Sequence, residues 1–81
     1  PNTSGWSKLH SSCWIGSEEE VVVIIEKERN KKDFVNKIDQ EGRTALFIAA
    51  EKGFKNIVTI LISKGANSNI TNFKGETPFF I

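Results

Sequence analysis

The sequence predicts an all-α fold in which short helix-turn-helix units stack as a solenoid and extended polar segments connect them. Three observations support this prediction. The chain repeats with a period of 33 residues, glycines recur at the same place in each copy, and apolar side chains recur at helical spacing between them. One such unit cannot bury its own apolar face, so we expect neighbouring units to cover one another.

The repeat appears when the sequence is compared with itself at two offsets. A shift of 33 residues places Gly42 on Gly75, and a shift of 37 residues places Gly5 on Gly42. The offset returns to 33 after the second helical pattern of the first copy. The first copy therefore carries four extra residues, and they lie within residues 28–32.

The two offsets divide the chain into three copies. Residues 1–38 form a divergent first copy that contains the insertion, and residues 39–71 form the second copy. Residues 72–81 contain only the start of a third copy. The chain thus holds about two and a third copies, fewer than the three or so that usually make a stable stack. We expect further copies to flank it in the intact protein.

The first helix of the second copy is predicted over Ala45–Lys52. Thr44 precedes it and is suited to cap its amino end, whereas Gly53 supplies the left-handed residue that ends it. Ser7 and Thr77 occupy the position of Thr44 in the other two copies.

The second helix of the second copy is predicted over Lys55–Ser63, and Gly65 closes it. Its counterpart in the first copy begins after Ser17, which three glutamates follow as in a capping box. The run VVVII at residues 21–25 has the propensity of a strand, but it aligns with the second helix of the next copy. We therefore predict that residues 21–25 are helical.

The second copy reads DQEGRTALFIAAEKGFKNIVTILISKGANSN and resembles the ankyrin repeat. The family pattern is met by the following residues: Asp39, Gly42, Thr44, Leu46, Ala49, Ala50, Gly53, Ile57, Val58, Leu61, Ile62, Gly65 and Ala66. The second copy departs from the pattern at Ala45, Phe47 and Asn67. The first copy is a weaker match that keeps Leu9, His10 and Gly16.

The resemblance implies hairpin-like fingers that connect the helix pairs. It also implies a module that binds another protein through the finger tips and the concave face of its first helices. The positions that the family pattern leaves free would then contact the partner: Trp6, Trp14, Ile15, Gln40, Glu41, Arg43, Glu51, Lys52, Phe73, Lys74 and Glu76. The alternative is a structural spacer within a longer ankyrin array that has no ligand of its own.

The aromatic members of this set have two interpretations. Trp6, Trp14, Ile15 and Phe73 can form an apolar stripe that anchors a partner, because aromatic side chains dominate the energy of many interfaces. Alternatively, the two tryptophans pack against an earlier copy that is absent from this sequence, or shield the end of the stack.

The insertion is rich in basic residues, since EKERNKK occupies residues 26–32. It would suit an acidic or phosphate-bearing partner. The alternative, which we favour, is a solvated loop after the second helix, because three acidic residues within or next to this segment dilute its charge.

Catalytic chemistry is not indicated, and we expect neither enzyme activity nor a cofactor. His10 and Cys13 could share a helix face, but a zinc site needs three or four ligands and the sequence has no second histidine or cysteine. By the resemblance, His10 bonds to nearby turn groups and Cys13 packs internally. A remote alternative is a nucleotide or phosphate ligand held by Arg43, Lys74 and a stacked Trp14.

Composition limits the cellular setting. A formal net charge of +1 gives no general attraction to nucleic acid, and the longest apolar run is far too short to cross a bilayer. A single cysteine fits a reducing compartment, so we expect a cytoplasmic protein, with the nucleus as the alternative. The resemblance also raises hydroxylation of Asn69 by an asparaginyl hydroxylase, although a hydrogen-bonding role for that side chain is favoured.

Overall fold

The computed structural model describes residues 5–68 and residue 75, and every regular element in that part of the chain is a helix. In chain order the helices are α1 (Lys8–Ile15), α2 (Glu18–Glu26), α3 (Lys31–Val35), α4 (Ala45–Lys52) and α5 (Lys55–Ser63). The bounds of α4 and α5 are those that the sequence predicts. Residues 21–25 lie within α2, which confirms the helical interpretation of the VVVII run.

The helices form two layers, as expected for stacked helix pairs. Each copy contributes a pair of contacting helices, α1 with α2 and α4 with α5. The copies meet where α1 packs against α4 in the inner layer and α2 packs against α5 in the outer layer. The all-α solenoid predicted from the sequence is therefore confirmed.

Hydroxyl side chains cap three of the helices. The hydroxyls of Ser7, Ser17 and Thr44 each accept a hydrogen bond from the backbone N–H three residues later, at the amino ends of α1, α2 and α4. At the other end, Gly16 and Gly53 take left-handed conformations with φ of 91° and 80°. These caps satisfy backbone groups that a short helix leaves without partners, which is why α1 and α4 begin and end where they do.

The insertion is a loop over residues 27–30 that leads into the short helix α3, which begins at Lys31. Asn30 caps α3 by accepting from the backbone N–H of Asp33 at 3.1 Å. Further on, the amide of Asn36 donates to the carbonyl of Gly65 at 3.0 Å, and its oxygen accepts from the N–H of Asn67 at 2.7 Å. Asn36 thus fastens the segment that follows α3 to the chain that follows α5.

A single hydrophobic core runs through both copies. It combines side chains from all five helices, which are Leu9, Cys13, Val21, Ile25, Val35, Ala45, Leu46, Ile48, Ala49, Ile57 and Leu61. All of them are at most 1% exposed. Neither copy has a core of its own, so the apolar side chains of each copy are buried by the other.

Candidate functional site

A tight turn at residues 39–43 forms the finger between the two copies, and Asp39 organises it. The N–H of Asp39 donates to the carbonyl of Arg43 at 2.9 Å, and the N–H of Gly42 donates to the carbonyl of Asp39 at 3.1 Å. One carboxylate oxygen of Asp39 accepts from the N–H groups of Glu41 and Arg43 at 2.9 and 2.8 Å. The carboxylate therefore fixes the conformation of the turn from inside.

The second carboxylate oxygen of Asp39 joins the two copies. It accepts from the indole N–H of Trp6 at 2.9 Å and from Nε of Arg43 at 3.0 Å. Burial of this carboxyl opposes its ionisation, but the hydrogen bonds from Arg43, Glu41 and Trp6 outweigh that effect and lower the pKa of Asp39. Asp39 is consequently a charged group held in a buried position by its donors.

His10 provides a second link between the copies. Its Nδ1 accepts from the backbone N–H of Ser7 at 3.2 Å, so the neutral ring carries its proton on Nε2, which donates to the carbonyl of Arg43 at 2.9 Å. Burial is the largest influence on this ring and lowers the pKa of His10. We call Trp6, His10, Asp39 and Arg43 the finger network. The structure thus shows His10 bonding to turn groups, as the resemblance implied.

The exposed surface next to the finger network carries Trp14. Its ring centroid lies 6.5 Å from that of Trp6 and 4.7 Å from Nζ of Lys52. Trp14 is 37% exposed, and the adjacent Ile15 at the end of α1 is 70% exposed. We call Trp14, Ile15 and Lys52 the inner-face patch, since they lie at the carboxyl ends of the two inner helices.

The predicted contact residues differ in exposure and in position. Trp6 is half-buried and is hydrogen-bonded to Asp39 of the finger. The guanidinium carbon of Arg43 lies 5.9 Å from the centroid of the Trp6 ring. Arg43 also pairs with Glu41 at 3.0 Å. Gln40 and Glu41 are exposed on the finger, and Glu51 is exposed beside Lys52. Four predicted residues lie outside the described part of the chain: Asn69, Phe73, Lys74 and Glu76.

Gly5 lies against the finger at residues 39–43. This residue has φ of 78°, and a Cβ atom there would approach the backbone nitrogen of Gln40 to 3.0 Å. The first copy therefore contributes a glycine where its own turn lies against the next finger.

The remaining candidate features have structural roles. Cys13 is fully buried in the core, and burial raises the pKa of its thiol to about 12, as expected of a packing position. Within residues 5–68, no three histidine, cysteine or acidic side chains lie close enough to hold a metal ion together. None of the helices found there is long and apolar enough to cross a membrane.

The sequence did not reveal the part that Asp39 and Trp6 play together. The two residues are 33 positions apart, and no local pattern joins them. The sequence signals only Asp39, which belongs to the family pattern and aligns with Asn72, a short polar residue at the start of the next copy.

Comparison with known proteins agrees with this architecture. A model of ankyrin repeats in three copies matches residues 1–81. Human ankyrin repeat and SOCS box protein 3 is 36% identical over 94% of this chain, which covers 14% of that protein. A probable 26S proteasome regulatory subunit, p28 of Saccharomyces cerevisiae, is 32% identical over 96% of this chain, which covers 33% of that protein.

A putative ankyrin repeat protein of fowlpox virus is also similar, with 36% identity over 82% of this chain and 14% of its own length. The chain therefore spans from about a seventh to a third of the length of these three relatives. The match to the family model covers the whole chain, and the described helices, caps and fingers have the arrangement that the repeat implied. This chain belongs to the ankyrin repeat family.

Proposed function

We propose that this segment binds a partner protein through the inner-face patch and the exposed side of the finger. Ankyrin repeats are in general protein-interaction modules. The choice of surface rests on one observation, that Trp14 and Ile15 are large apolar side chains left 37% and 70% exposed at the end of an inner helix. Aromatic and aliphatic anchors of this kind supply much of the energy in protein interfaces.

The rigidity of the patch supports the same proposal. Trp14 stands on α1, which a serine caps and which packs against both α2 and α4. Its ring is flanked by Trp6 and by the ammonium of Lys52. A side chain held in this way loses little conformational freedom on binding, and that lowers the entropic cost of association.

The charges around the patch indicate what the partner offers. Lys52 and Glu51 are exposed on α4, whereas Gln40 and Glu41 are exposed on the finger. This rim of mixed charge around an apolar centre has the composition of a protein interface and lacks the uniform positive charge of a nucleic-acid surface. We therefore propose a partner with an apolar side chain that covers Trp14 and with polar groups around it.

The cellular role that we propose is that of a scaffold segment in the cytoplasm, or in the nucleus, within a longer array of repeats. The yeast relative is named as a probable proteasome regulatory subunit, so at least one similar chain is assigned to a multiprotein assembly. The lone cysteine is a buried free thiol, which suits a reducing compartment.

The proposal is tested with the intact protein by affinity capture followed by measurement of Kd for the captured partner. Replacing Trp14 with alanine should weaken binding about tenfold or more, since anchor residues cost over 1 kcal/mol on truncation. Ile15→Ala should act in the same direction with a smaller effect.

Val23→Ala is the matched control because Val23 is apolar and 48% exposed, but lies on α2 in the outer layer. It should bind the partner as the wild type does. If Val23→Ala weakens binding as much as Trp14→Ala does, or if Trp14→Ala has no effect, the inner-face patch is not the binding surface.

A further inference from the structure

The two copies allow a direct comparison of the two ends of the stack. A shift of 37 residues relates α1 to α4 and α2 to α5 residue by residue. In the described chain the second copy has a neighbour before it, and the first copy has a neighbour after it. A difference in burial at equivalent positions therefore shows which side chains point toward the preceding copy and which point toward the following copy.

The positions that point toward the following copy are apolar in both copies, and we call them the trailing face. In the first copy Cys13, Val21 and Ile25 are 0% exposed under the second copy. Their equivalents are Ala50 and Val58, which are half-buried, and Ile62, which is 46% exposed.

The positions that point toward the preceding copy, the leading face, differ in chemistry between the copies. In the second copy the leading face consists of four apolar residues that are at most 1% exposed: Ala45, Ile48, Ile57 and Leu61. The equivalent residues of the first copy are Lys8, Ser11, Glu20 and Ile24. Lys8 and Glu20 are exposed, and Ser11 and Ile24 are half-buried.

The leading face of the first copy is therefore unsuited to burial. Lys8 and Ile24 line a groove of about 250 Å³ together with Lys27, Glu28 and Phe34, so charged groups surround the little apolar surface that is present. A helix pair stacked there would take the Lys8 ammonium and the Glu20 carboxylate out of water, which is costly for charged groups. A polar outer face is the property that a terminal unit of a stacked array requires.

We propose that the first copy is the leading end of the stack and that helix pairs are added only on the trailing face of the second copy. The occupant of that trailing face is another helix pair of the same repeat, with an apolar leading face like that of the second copy. The established contact between the copies supports this choice, because Val58 and Ile62 repeat the chemistry by which Val21 and Ile25 receive the second copy. The inference concerns the direction of stacking and is independent of the proposed partner site.

Lysine labelling of the intact protein tests the first half of this proposal. Lys8 is the first residue of α1 and Lys55 is the first residue of α5, and both are exposed, so Lys55 is a matched reference on the second copy. Under pulse acetylation read by mass spectrometry, the two lysines should react at similar rates. Strong protection of Lys8 beside a freely reacting Lys55 would overturn the proposal.

A pair of equivalent substitutions gives an independent readout. Lys8→Glu and Ala45→Glu place the same side chain at equivalent positions of the two leading faces. We expect Lys8→Glu to leave the urea midpoint of the intact protein unchanged and Ala45→Glu to lower it. Should Ala45→Glu fail to fold, Ile48→Ser is the substitute, since it installs the residue found at Ser11. Loss of stability in Lys8→Glu comparable to that of the second-copy variant would contradict the proposal.

Discussion

Removal of the Asp39 carboxylate tests whether the finger network holds the two copies together. The carboxylate accepts four hydrogen bonds, from the N–H groups of Glu41 and Arg43, Nε of Arg43 and the indole of Trp6, at 2.8 to 3.0 Å. The Asp39 side chain is 1% exposed and that of Arg43 is 15% exposed, so water screens these bonds only weakly. Asp39→Ala leaves all four donors without their acceptor.

The expected loss is about 3 kcal/mol of unfolding free energy for Asp39→Ala. Hydrogen bonds to a charged group contribute about 1.5–3 kcal/mol each, but bonds to one carboxylate are not additive and water reaches some of the freed donors. Asp39→Asn should cost less, about 2 kcal/mol, because its carbonyl oxygen can still accept from the two backbone N–H groups. Its amide would then face the donors of Trp6 and Arg43.

The assay is urea unfolding followed by the fluorescence of Trp6 and Trp14, with Glu41→Gln as the control. That control makes the same carboxylate-to-amide change on the same turn, but Glu41 is an exposed partner of Arg43. It should cost less than about 1 kcal/mol, as exposed ion pairs do. If Asp39→Ala and Glu41→Gln unfold at the same urea concentration, the turn is not held by the Asp39 carboxylate, and this reasoning is refuted.

Three further predictions concern His10, two glycines and Cys13. Since burial lowers the pKa of His10, the unfolded chain binds a proton at this residue more readily than the folded protein does. The unfolding free energy should therefore be constant above about pH 6.5 and fall below it by up to about 1.4 kcal/mol per pH unit. His10→Gln should remove that slope in urea titrations. Gly16→Ala should destabilise the protein more than Gly53→Ala, because both glycines have left-handed φ but only at Gly16 would a Cβ lie 2.8 Å from the Phe54 ring; equal melting temperatures would contradict this. Burial raises the pKa of Cys13 to about 12, so iodoacetamide at pH 8 should label it only as urea unfolds the protein, with mass spectrometry as the readout.

The helices of the second copy were predictable because their signals are local. Thr44 and Gly53 bracket α4, and each acts within one turn of the residue that it caps. The repeat then resolved the ambiguous run at residues 21–25, since a segment that is apolar on several sides has no clear period of its own. The capping residues and the internal repeat together were enough to predict the fold class and the ends of the helices in the second copy.

The insertion and the finger network required the structure. Asn30 and Asp33 do form a helix-capping pattern before α3. A helix of five residues is too short for its apolar residues to show a helical period, so the sequence alone does not distinguish it from a loop. The bond from Trp6 to Asp39 depends on the three-dimensional meeting of two copies. The sequence left Trp6 open between a partner contact and packing against an earlier copy. In the structure its indole N–H donates to Asp39 of the following copy, a bond on which the repeat pattern has no information.

The cross-copy bonds of the finger network have a consequence for how this segment melts. Trp6 and His10 belong to the first copy, whereas their acceptors on Asp39 and Arg43 belong to the second. Unfolding of either copy therefore breaks charged and buried hydrogen bonds that the other copy needs. Unfolding of one copy alone is unfavourable, and the two copies should unfold together. The segment should behave as one cooperative block, in which a spectroscopic signal from Trp6 reports the integrity of residues far along the chain.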